Sequence, residues 1–167
     1  RCFTLPNRIR LTQAESFGEI WIQQKRDMGI TITTLQIDQY HEVITLWKEC
    51  EGVGLSEADS RGSINAYLQR NPGMSFVATD SEGRIVGAIL AGHDGRRGYL
   101  HHLAVNPAFR RKGIGSNLVE KALSALRQEG IRKVHLFIFE TNASGLAFWE
   151  ASGWTRRNDI RILSKNI

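Results

Sequence analysis

The sequence is poor in the residues that build metal centres and disulfide frameworks. Only two of its 167 residues are cysteine, Cys2 and Cys50, and neither lies in a CxxC spacing or near a pair of histidines. Isolated cysteines favour neither a zinc site nor a disulfide scaffold. We therefore expect no metal, and we expect a cytoplasmic location, where thiols stay reduced.

Long apolar runs are also missing. No stretch approaches the roughly 20 apolar residues that a membrane-spanning helix needs, and no apolar segment of the signal-peptide kind opens the chain. We expect no membrane partner and no secretion. The composition, 41% hydrophobic and 23% charged residues, is that of an ordinary globular protein, and the length suits one domain with a real core.

Positive charge is in moderate excess. The formal net charge of +5 suggests an anionic ligand. A nucleic-acid-binding protein usually gathers its basic side chains in one patch with interleaved aromatic residues, whereas the densest basic cluster here is the short run 110–112. A nucleic-acid binder is thus a rival hypothesis without further motif support, and we expect no nucleic-acid partner.

Residues 1–28 differ in character from the rest of the chain. They include Pro6 and a segment that could form a short helix, and Met28 would be a natural first residue for the regular part of the chain. We expect 1–28 to be an N-terminal extension that is non-native or poorly ordered. The domain is predicted to comprise 29–167.

Hydrophobic periodicity from Gly29 onward predicts the order β-α-α-β-β-β-α-β-α-β. Strands are expected at 30–37, 74–80, 84–92, 98–105, 133–139 and 157–165, the fifth of them central, and helices at 38–50, 61–70, 114–130 and 141–154. Ile114, Leu118, Ala122 and Leu126 recur at helical spacing and are expected in the core. The fold class is α/β (α+β), a central mixed sheet flanked by about four helices.

The stretch AVNPAFRRKGIGSNLVEKAL, residues 104–123, places three cations before two glycines and a helix. Unpaired N–H groups and the macrodipole at a helix N-terminus attract phosphate. Glycine at 113 and 115 allows an anion to approach the backbone closely. The loop is neither a Walker A motif nor a GxGxxG fingerprint. The alternative is a solvated basic loop, and Arg111 is the cation that fits it best.

Two motifs together resemble the acetyl-CoA site of the GNAT N-acetyltransferases. The first is a strand followed by V-x-P and R-x-x-G-x-G, here Val105-Asn106-Pro107 and Arg110 to Gly115. The second is NASGLAFWEASGW, residues 142–154, which is similar to N-x-x-A/G-x-x-[FL]-Y-E-x-x-G-F. The resemblance covers 29–167. It implies the GNAT fold with a twisted, mostly antiparallel sheet, and acetyl transfer from acetyl-CoA to a primary amine by direct attack in a ternary complex.

The resemblance also implies how the co-substrate is held. Its diphosphate would lie on backbone amides of the loop, with charge from Arg110 and Lys112, and its pantetheine arm would pair with the edge of strand 98–105. Asn142 would lie beside the pantetheine, with simple helix capping as the alternative role. The expected cofactor-binding residues are Leu103, Ala104, Val105, Arg110, Arg111, Lys112, Gly113, Ile114, Gly115, Ser116, Asn142 and Trp149.

Trp149 departs from the family pattern. Many members have a tyrosine there, placed to protonate the departing thiolate of coenzyme A, and an indole N–H is no usable acid near neutral pH. Either the thiolate leaves without a side-chain acid or another group supplies the proton. This departure keeps an alternative function open, a non-catalytic acetyl-CoA-binding sensor or regulatory module.

Strand 98–105 is expected to carry the catalytic residues. Alternation along a strand predicts that Tyr99, His101 and Leu103 share one face, with His102 on the other as a buried or half-buried histidine. The stretch 99–115 is also similar to the arylalkylamine acetyltransferases, whose imidazoles at the positions of Tyr99 and His101 help to remove a proton through water. His101 is thus the expected base and Tyr99 its neighbour, with a structural histidine as the alternative.

The acceptor is not specified by the sequence. Residues 38–71, together with the loop after strand 84–92, are expected to shape its site. A small-molecule amine and an amine of a protein or peptide both stay open. Dimers are common in the family, so a homodimer is an alternative to a monomer.

Overall fold

The computed structural model describes residues 29–166. The predicted extension 1–28 lies outside the described residues. The strands are β1 (Thr31–Thr34), β2 (Phe76–Thr79), β3 (Ile85–His93), β4 (Gly98–Val105) and β5 (Val134–Leu136). The α-helices are α1 (Tyr40–Glu49), α2 (Arg61–Arg70), α3 (Ile114–Gln128) and α4 (Ala143–Ala151). Short 3-10 turns span Ile37–Gln39, Glu57–Asp59 and Pro107–Phe109.

The five strands form one mixed sheet in the order β1-β2-β3-β4-β5. The pairs β1–β2, β2–β3 and β3–β4 are antiparallel, and the pair β4–β5 is parallel. The predicted fold class is confirmed, with four α-helices and a mostly antiparallel sheet in the described part of the chain. Of these helices, none has the combination of length and apolar character that a membrane crossing requires.

Local chemistry explains where the helices begin and end. α2 starts after Ser60, whose hydroxyl accepts a hydrogen bond from the N–H of Ser63 at 3.4 Å, and it ends at Asn71 just before a proline. α3 begins after Gly113, which has a left-handed φ of 75°. Gly130, also left-handed at φ 77°, follows its C-terminus.

Two strand predictions are wrong. β5 lies at the edge of the sheet rather than at its centre, and it is only three residues long, so Phe137 and Phe139 remain more than half exposed. Within the described residues, no strand forms over 157–165. A strand needs a partner for its backbone, and this segment instead makes a local ion pair, Arg157 Nη2 to Asp159 Oδ2 at 2.7 Å.

The sheet carries a hydrophobic cluster on each face. α3 packs on one face, and the four residues predicted for its core side, Ile114, Leu118, Ala122 and Leu126, are all buried. α1 and α2 pack on the other face, where Leu46, Trp47 and Ile64 meet β-strand residues such as Leu90 and Ala104. The core prediction for α3 is confirmed.

A β-bulge interrupts β4 at His102. Ala88 pairs with Ala104 and Leu90 with His101, so β4 has one more residue than β3 in this interval. His102 adopts a left-handed φ of 50°, which is uncommon for a residue other than glycine. The bulge shifts the alternation of side chains, and Leu103 packs against the α3-side cluster instead of sharing a face with His101.

Candidate functional site

β5 pairs with only the first part of β4, on the side of β4 that faces away from β3. The pairing joins Gly98 to Val134 and ends at Leu100 and Leu136. Beyond this point, the edge of β4 from 101 to 105 has no strand partner in the described residues. A cavity of about 790 Å³ lies here. Its walls come from β4, the loop into α3, the segment 136–149 and the loop 51–54.

The loop between β4 and α3 is shaped by its own polar contacts. Asn106 Oδ1 accepts from the N–H of Ala108 at 3.0 Å and caps the turn Pro107–Phe109. Arg110 Nε donates to the carbonyl of Val105 at 3.0 Å. Arg111 then takes a left-handed φ of 60° and Gly113 one of 75°, which turns the chain into the first residues of α3. The first amides of α3 therefore lie at the cavity wall.

Most of the predicted cofactor-binding residues line this one cavity. They are Leu103, Val105, Arg110, Arg111, Gly113, Ile114, Gly115, Ser116, Asn142 and Trp149, and His101 is there as well. Three predicted site residues are not among those that line it. Ala104 is buried in the cluster on the α1 side, Lys112 holds its Nζ 5.2 Å above the ring of Phe109, and Tyr99 lies near the start of β4.

Asn142 caps α4. Its Oδ1 accepts from the N–H of Gly145 at 2.9 Å, so the capping role exists together with the position in the cavity wall. Trp149, within the same helix, contacts Phe148 and Trp154 in edge-on geometry, with ring centroids 5.0 Å apart in each pair. The indole is therefore part of the core packing as well as of the cavity wall.

His101 has an aromatic environment. Its ring centroid lies 6.2 Å from that of Tyr67 in α2 and 6.3 Å from that of Tyr99, which stacks on it. Burial lowers the pKa of His101 below 6.5, the nearby His102 lowers it further, and Asp59 opposes the shift. The imidazole is thus neutral at pH 7 and able to accept a proton. Burial also raises the pKa of Tyr67 to about 12, so its phenol keeps its proton.

His102 does not point away from His101 as predicted. The bulge turns its ring to the α1 side of the sheet, where its centroid lies 4.8 Å from that of Trp47. His102 Nε2 lies 2.7 Å from Asp59 Oδ1. Asp59 was not among the predicted site residues, because its only feature in the sequence is a place in a turn-forming stretch, and a bulge leaves no clear mark in a strand pattern.

The loop 51–54 closes the cavity from the side of α1. Gly52 packs directly against the side-chain amide of Asn142, and Gly54 lies against the ring of Phe139. A Cβ at Gly54 would come within 2.6 Å of Phe139 Cζ. Gly52 also has a left-handed φ of 85°, which favours glycine. Through these two contacts the loop 51–54 meets the segment before α4. Among the described residues there is no group of three side chains that could hold a metal ion.

Known sequences resemble this chain over most of its length. A family model described as "Acetyltransferase (GNAT) family" matches residues 40–154. An acetyltransferase of Pectobacterium atrosepticum is 33% identical over 113 residues, which cover 68% of this chain and 79% of the relative. An acetyltransferase of Photorhabdus laumondii subsp. laumondii is 31% identical over 137 residues, covering 81% and 94%.

Solved structures share the fold. An aminoglycoside 6'-N-acetyltransferase from Acinetobacter baumannii aligns with a TM-score of 0.68 at 18% identity, covering 83% of this chain and 99% of the other. A chain of the NatC complex bound to Gag peptide and CoA aligns with a TM-score of 0.67 at 24% identity, covering 78% and 87%. At these identities the likeness concerns the fold alone.

Proposed function

Since the chain belongs to the acetyltransferase (GNAT) family, we propose that it transfers the acetyl group of acetyl-CoA to a primary amine by direct attack in a ternary complex. One observation carries the proposal. The unpaired edge of β4 and the glycine-containing turn into α3 open into the same cavity. The former can pair with an extended amide chain, and the latter can bind phosphate.

The residues present fit acetyl-CoA. The cavity of about 790 Å³ has the size of a small-molecule site. Backbone amides at the start of α3 would hold the diphosphate, and Gly113 and Gly115 leave room for it. Arg110 and Arg111 line the cavity and would add positive charge. The amide groups of the pantetheine arm would pair with the edge of β4 at Leu103 and Val105, as an added strand does.

Acetyl transfer by this route needs no covalent intermediate with the protein. The amine nitrogen attacks the thioester carbonyl, the carbon–sulfur bond breaks, and the acetyl group becomes an amide. A backbone N–H on the free edge of β4 would polarise the carbonyl and stabilise the negative charge on its oxygen. The sulfur leaves as a thiolate. We assign no side-chain acid to it, because Trp149 stands where a tyrosine would act.

His101 is the residue that we propose as base. An acceptor amine arrives mostly as its ammonium and must lose a proton before it can attack. His101 lines the cavity, and burial keeps it neutral at pH 7 by lowering its pKa. Tyr99 stacks on His101 with ring centroids 6.3 Å apart, and it would orient the imidazole rather than contact the acceptor.

The acceptor is an amine of a small molecule or of a peptide chain. Its site would lie between α1, α2 and the cavity, where Tyr67 and the loop 51–54 form the wall. The structural neighbours include an enzyme named for aminoglycosides and a complex solved with a peptide, so both classes belong in a screen.

Thiol release from acetyl-CoA across a panel of amines tests the proposal. The panel should contain aminoglycosides, polyamines, arylalkylamines and peptides with free N-termini or lysines. We expect turnover with at least one class, together with acetyl-CoA binding by calorimetry. Binding without turnover on every amine would favour the non-catalytic acetyl-CoA-binding module instead.

A further inference from the structure

Two polar residues beside the cavity, the buried Asp59 and the half-buried His102, have no part in the proposed chemistry. His102, which lines the cavity, reaches Asp59 with its Nε2 at 2.7 Å from Oδ1. Asp59 lies in the turn before α2 and is only 8% exposed. The contact joins residues 43 positions apart in the sequence. A carboxylate and an imidazole thus meet where the proposed acceptor enters.

The carboxylate is held firmly in place. Asp59 Oδ2 accepts from the N–H of Ser56 at 2.8 Å, as part of a capping box that fixes the turn. The backbone carbonyl of Asp59 accepts from the hydroxyl of Tyr40 at 2.9 Å. Since the turn is anchored at both its backbone and its side chain, Oδ1 has a fixed direction towards His102.

The imidazole of His102 is also fixed in position, and its backbone conformation is unfavourable. His102 has a φ of 50° in the middle of a strand, a conformation that costs about 1–3 kcal/mol outside glycine and is typical of functional sites. Its ring packs on Trp47. Without the bulge, His102 would face the α3 side of the sheet and could reach neither Asp59 nor the neighbourhood of His101.

The hydrogen bond to Asp59 determines the tautomer. An ionised carboxylate only accepts, so Nε2 carries the proton and Nδ1 keeps its lone pair. No described residue forms a hydrogen bond with Nδ1. A carboxylate in this position also stabilises the imidazolium that forms when Nδ1 takes a proton, as in hydrolases that pair aspartate with histidine.

We propose that His102 and Asp59 form the second stage of a proton relay that begins at His101. The inference rests on the proposed function. The ring centroids of His101 and His102 lie 6.3 Å apart, a distance that one bridging water spans. The acceptor ammonium gives a proton to His101. His101 passes one proton through water to Nδ1 of His102, and the imidazolium formed there is paired with the Asp59 carboxylate.

The relay balances without any other reactant. One proton leaves the ammonium before attack and enters the relay, and the attacking nitrogen loses a second proton to solvent water as the amide forms. The thiolate of coenzyme A takes up one proton from solvent. His102 releases its proton to solvent after each turnover, and the net result is one amide, one thiol and one proton.

The decisive variant is Asp59→Asn, with Glu57→Gln as the matched control. Both replace a carboxylate by its amide in the same turn, but Glu57 is exposed. The Asn amide can still bond to the ring, yet its NH₂ group then donates to Nε2 and moves the ring proton to Nδ1, as in the aspartate-to-asparagine triad variant that gives the wrong tautomer. We expect kcat at saturating acetyl-CoA to fall about ten- to a hundredfold, with acetyl-CoA affinity unchanged. Glu57→Gln should behave as wild type.

The pH dependence separates a proton relay from a structural contact. The titratable groups around the His102 ring are Asp59 from the turn before α2 and His101 from its own strand, while α1 presents the neutral Trp47. The defect of Asp59→Asn should shrink towards wild type as the pH passes the pKa of the acceptor amine, because a free amine needs no base. The same defect at every pH, or no defect, overturns the relay.

His102→Gln keeps the test open should Asp59→Asn fail to fold. The Gln side-chain nitrogen can occupy the place of Nε2 and donate to Asp59, but the residue cannot accept and carry a proton. The expected loss and its pH dependence are the same as for Asp59→Asn. If the wild-type protein binds acetyl-CoA and acetylates no amine, the proposed function itself fails; turnover with a variant profile identical to wild type removes the relay alone.

Discussion

The side chain of His101 combines burial with access to the cavity. Its ring contacts those of Tyr67 and Tyr99, and it lines the cavity beside the free edge of β4. A group in this position can take a proton from an incoming amine without first losing one itself. The chemistry of this residue can be tested with two measurements.

The first measurement is the rate of a variant. His101→Ala or His101→Gln should lower kcat/KM by about ten- to a hundredfold, less than many general bases because water can substitute. Acetyl-CoA affinity by calorimetry should be unchanged, since the imidazole lies outside the contacts that we propose for the diphosphate and the pantetheine arm. Wild-type kcat/KM in His101→Ala would show that the proton leaves by another route.

The second measurement is the pH profile. Burial lowers the pKa of His101 below 6.5, so its neutral, active form persists to a lower pH than a free histidine would allow. The acidic limb of kcat/KM should therefore lie below pH 6.5 and flatten in His101→Gln. An acidic limb above 6.5 would contradict the assignment.

The residues that the motifs predict for one site line one cavity, whereas the side-chain directions predicted for β4 are wrong at His102 and Leu103. The cavity wall at Arg110, Gly113 and Asn142 follows from motifs in which spacing decides the geometry. The direction of His102 depends on one extra residue in β4, and Asp59 reaches it from 43 positions away. A long-range contact through a bulge has no local pattern to reveal it.

Among the elements, the turn from the loop into α3 is the one whose proposed role can be tested most directly, by measuring acetyl-CoA binding to glycine variants. A Cβ at Gly115 would make only ordinary contacts, the nearest at 3.6 Å to Phe148 Cζ. Gly115→Val should therefore fold, while its branched side chain fills the space in front of the first amides of α3. We expect acetyl-CoA binding by calorimetry to be lost at an unchanged far-UV circular dichroism spectrum.

Gly113→Val provides a contrast. No heavy atom lies within 4 Å of a Cβ at Gly113, but its φ of 75° disfavours any β-branched residue. This variant should lose about 1–3 kcal/mol of unfolding free energy as well as binding. A folded Gly115→Val protein with wild-type affinity would exclude the diphosphate from this turn.

The elements themselves were predicted unevenly, and the reason is physical. α2 and β4 have the predicted bounds, 61–70 and 98–105, because capping and turn residues stand at their ends. β5 is shorter than its apolar run suggests, because its pairing with β4 stops at Leu100, just before the bulge at His102. The apolar pattern of 157–165 also resembles that of a strand. A strand forms only when its backbone pairs with another strand, and the local pattern does not show whether such a partner lies nearby.

At the scale of the whole molecule, stability depends on two clusters separated by one sheet. Leu118 lies in the cluster with α3 and Leu46 in the cluster with α1, and both are buried. Leu118→Ala and Leu46→Ala should each cost about 2–5 kcal/mol of unfolding free energy in urea titrations. The double variant should equal the sum within about 0.5 kcal/mol, since the two residues share no cluster. A large departure from additivity would mean that the sheet transmits strain between its faces.

The unpaired stretch of β4 also bears on the behaviour of the protein in solution. A row of free amide and carbonyl groups is a template on which strands of other molecules can add, the first step towards amyloid-like association. A bound pantetheine arm would cover that template. Colloidal stability should therefore follow occupancy, so that light scattering during prolonged incubation rises sooner for the ligand-free protein than for protein kept with excess coenzyme A. The same few hydrogen-bonding groups would thus serve catalysis when covered and endanger solubility when bare.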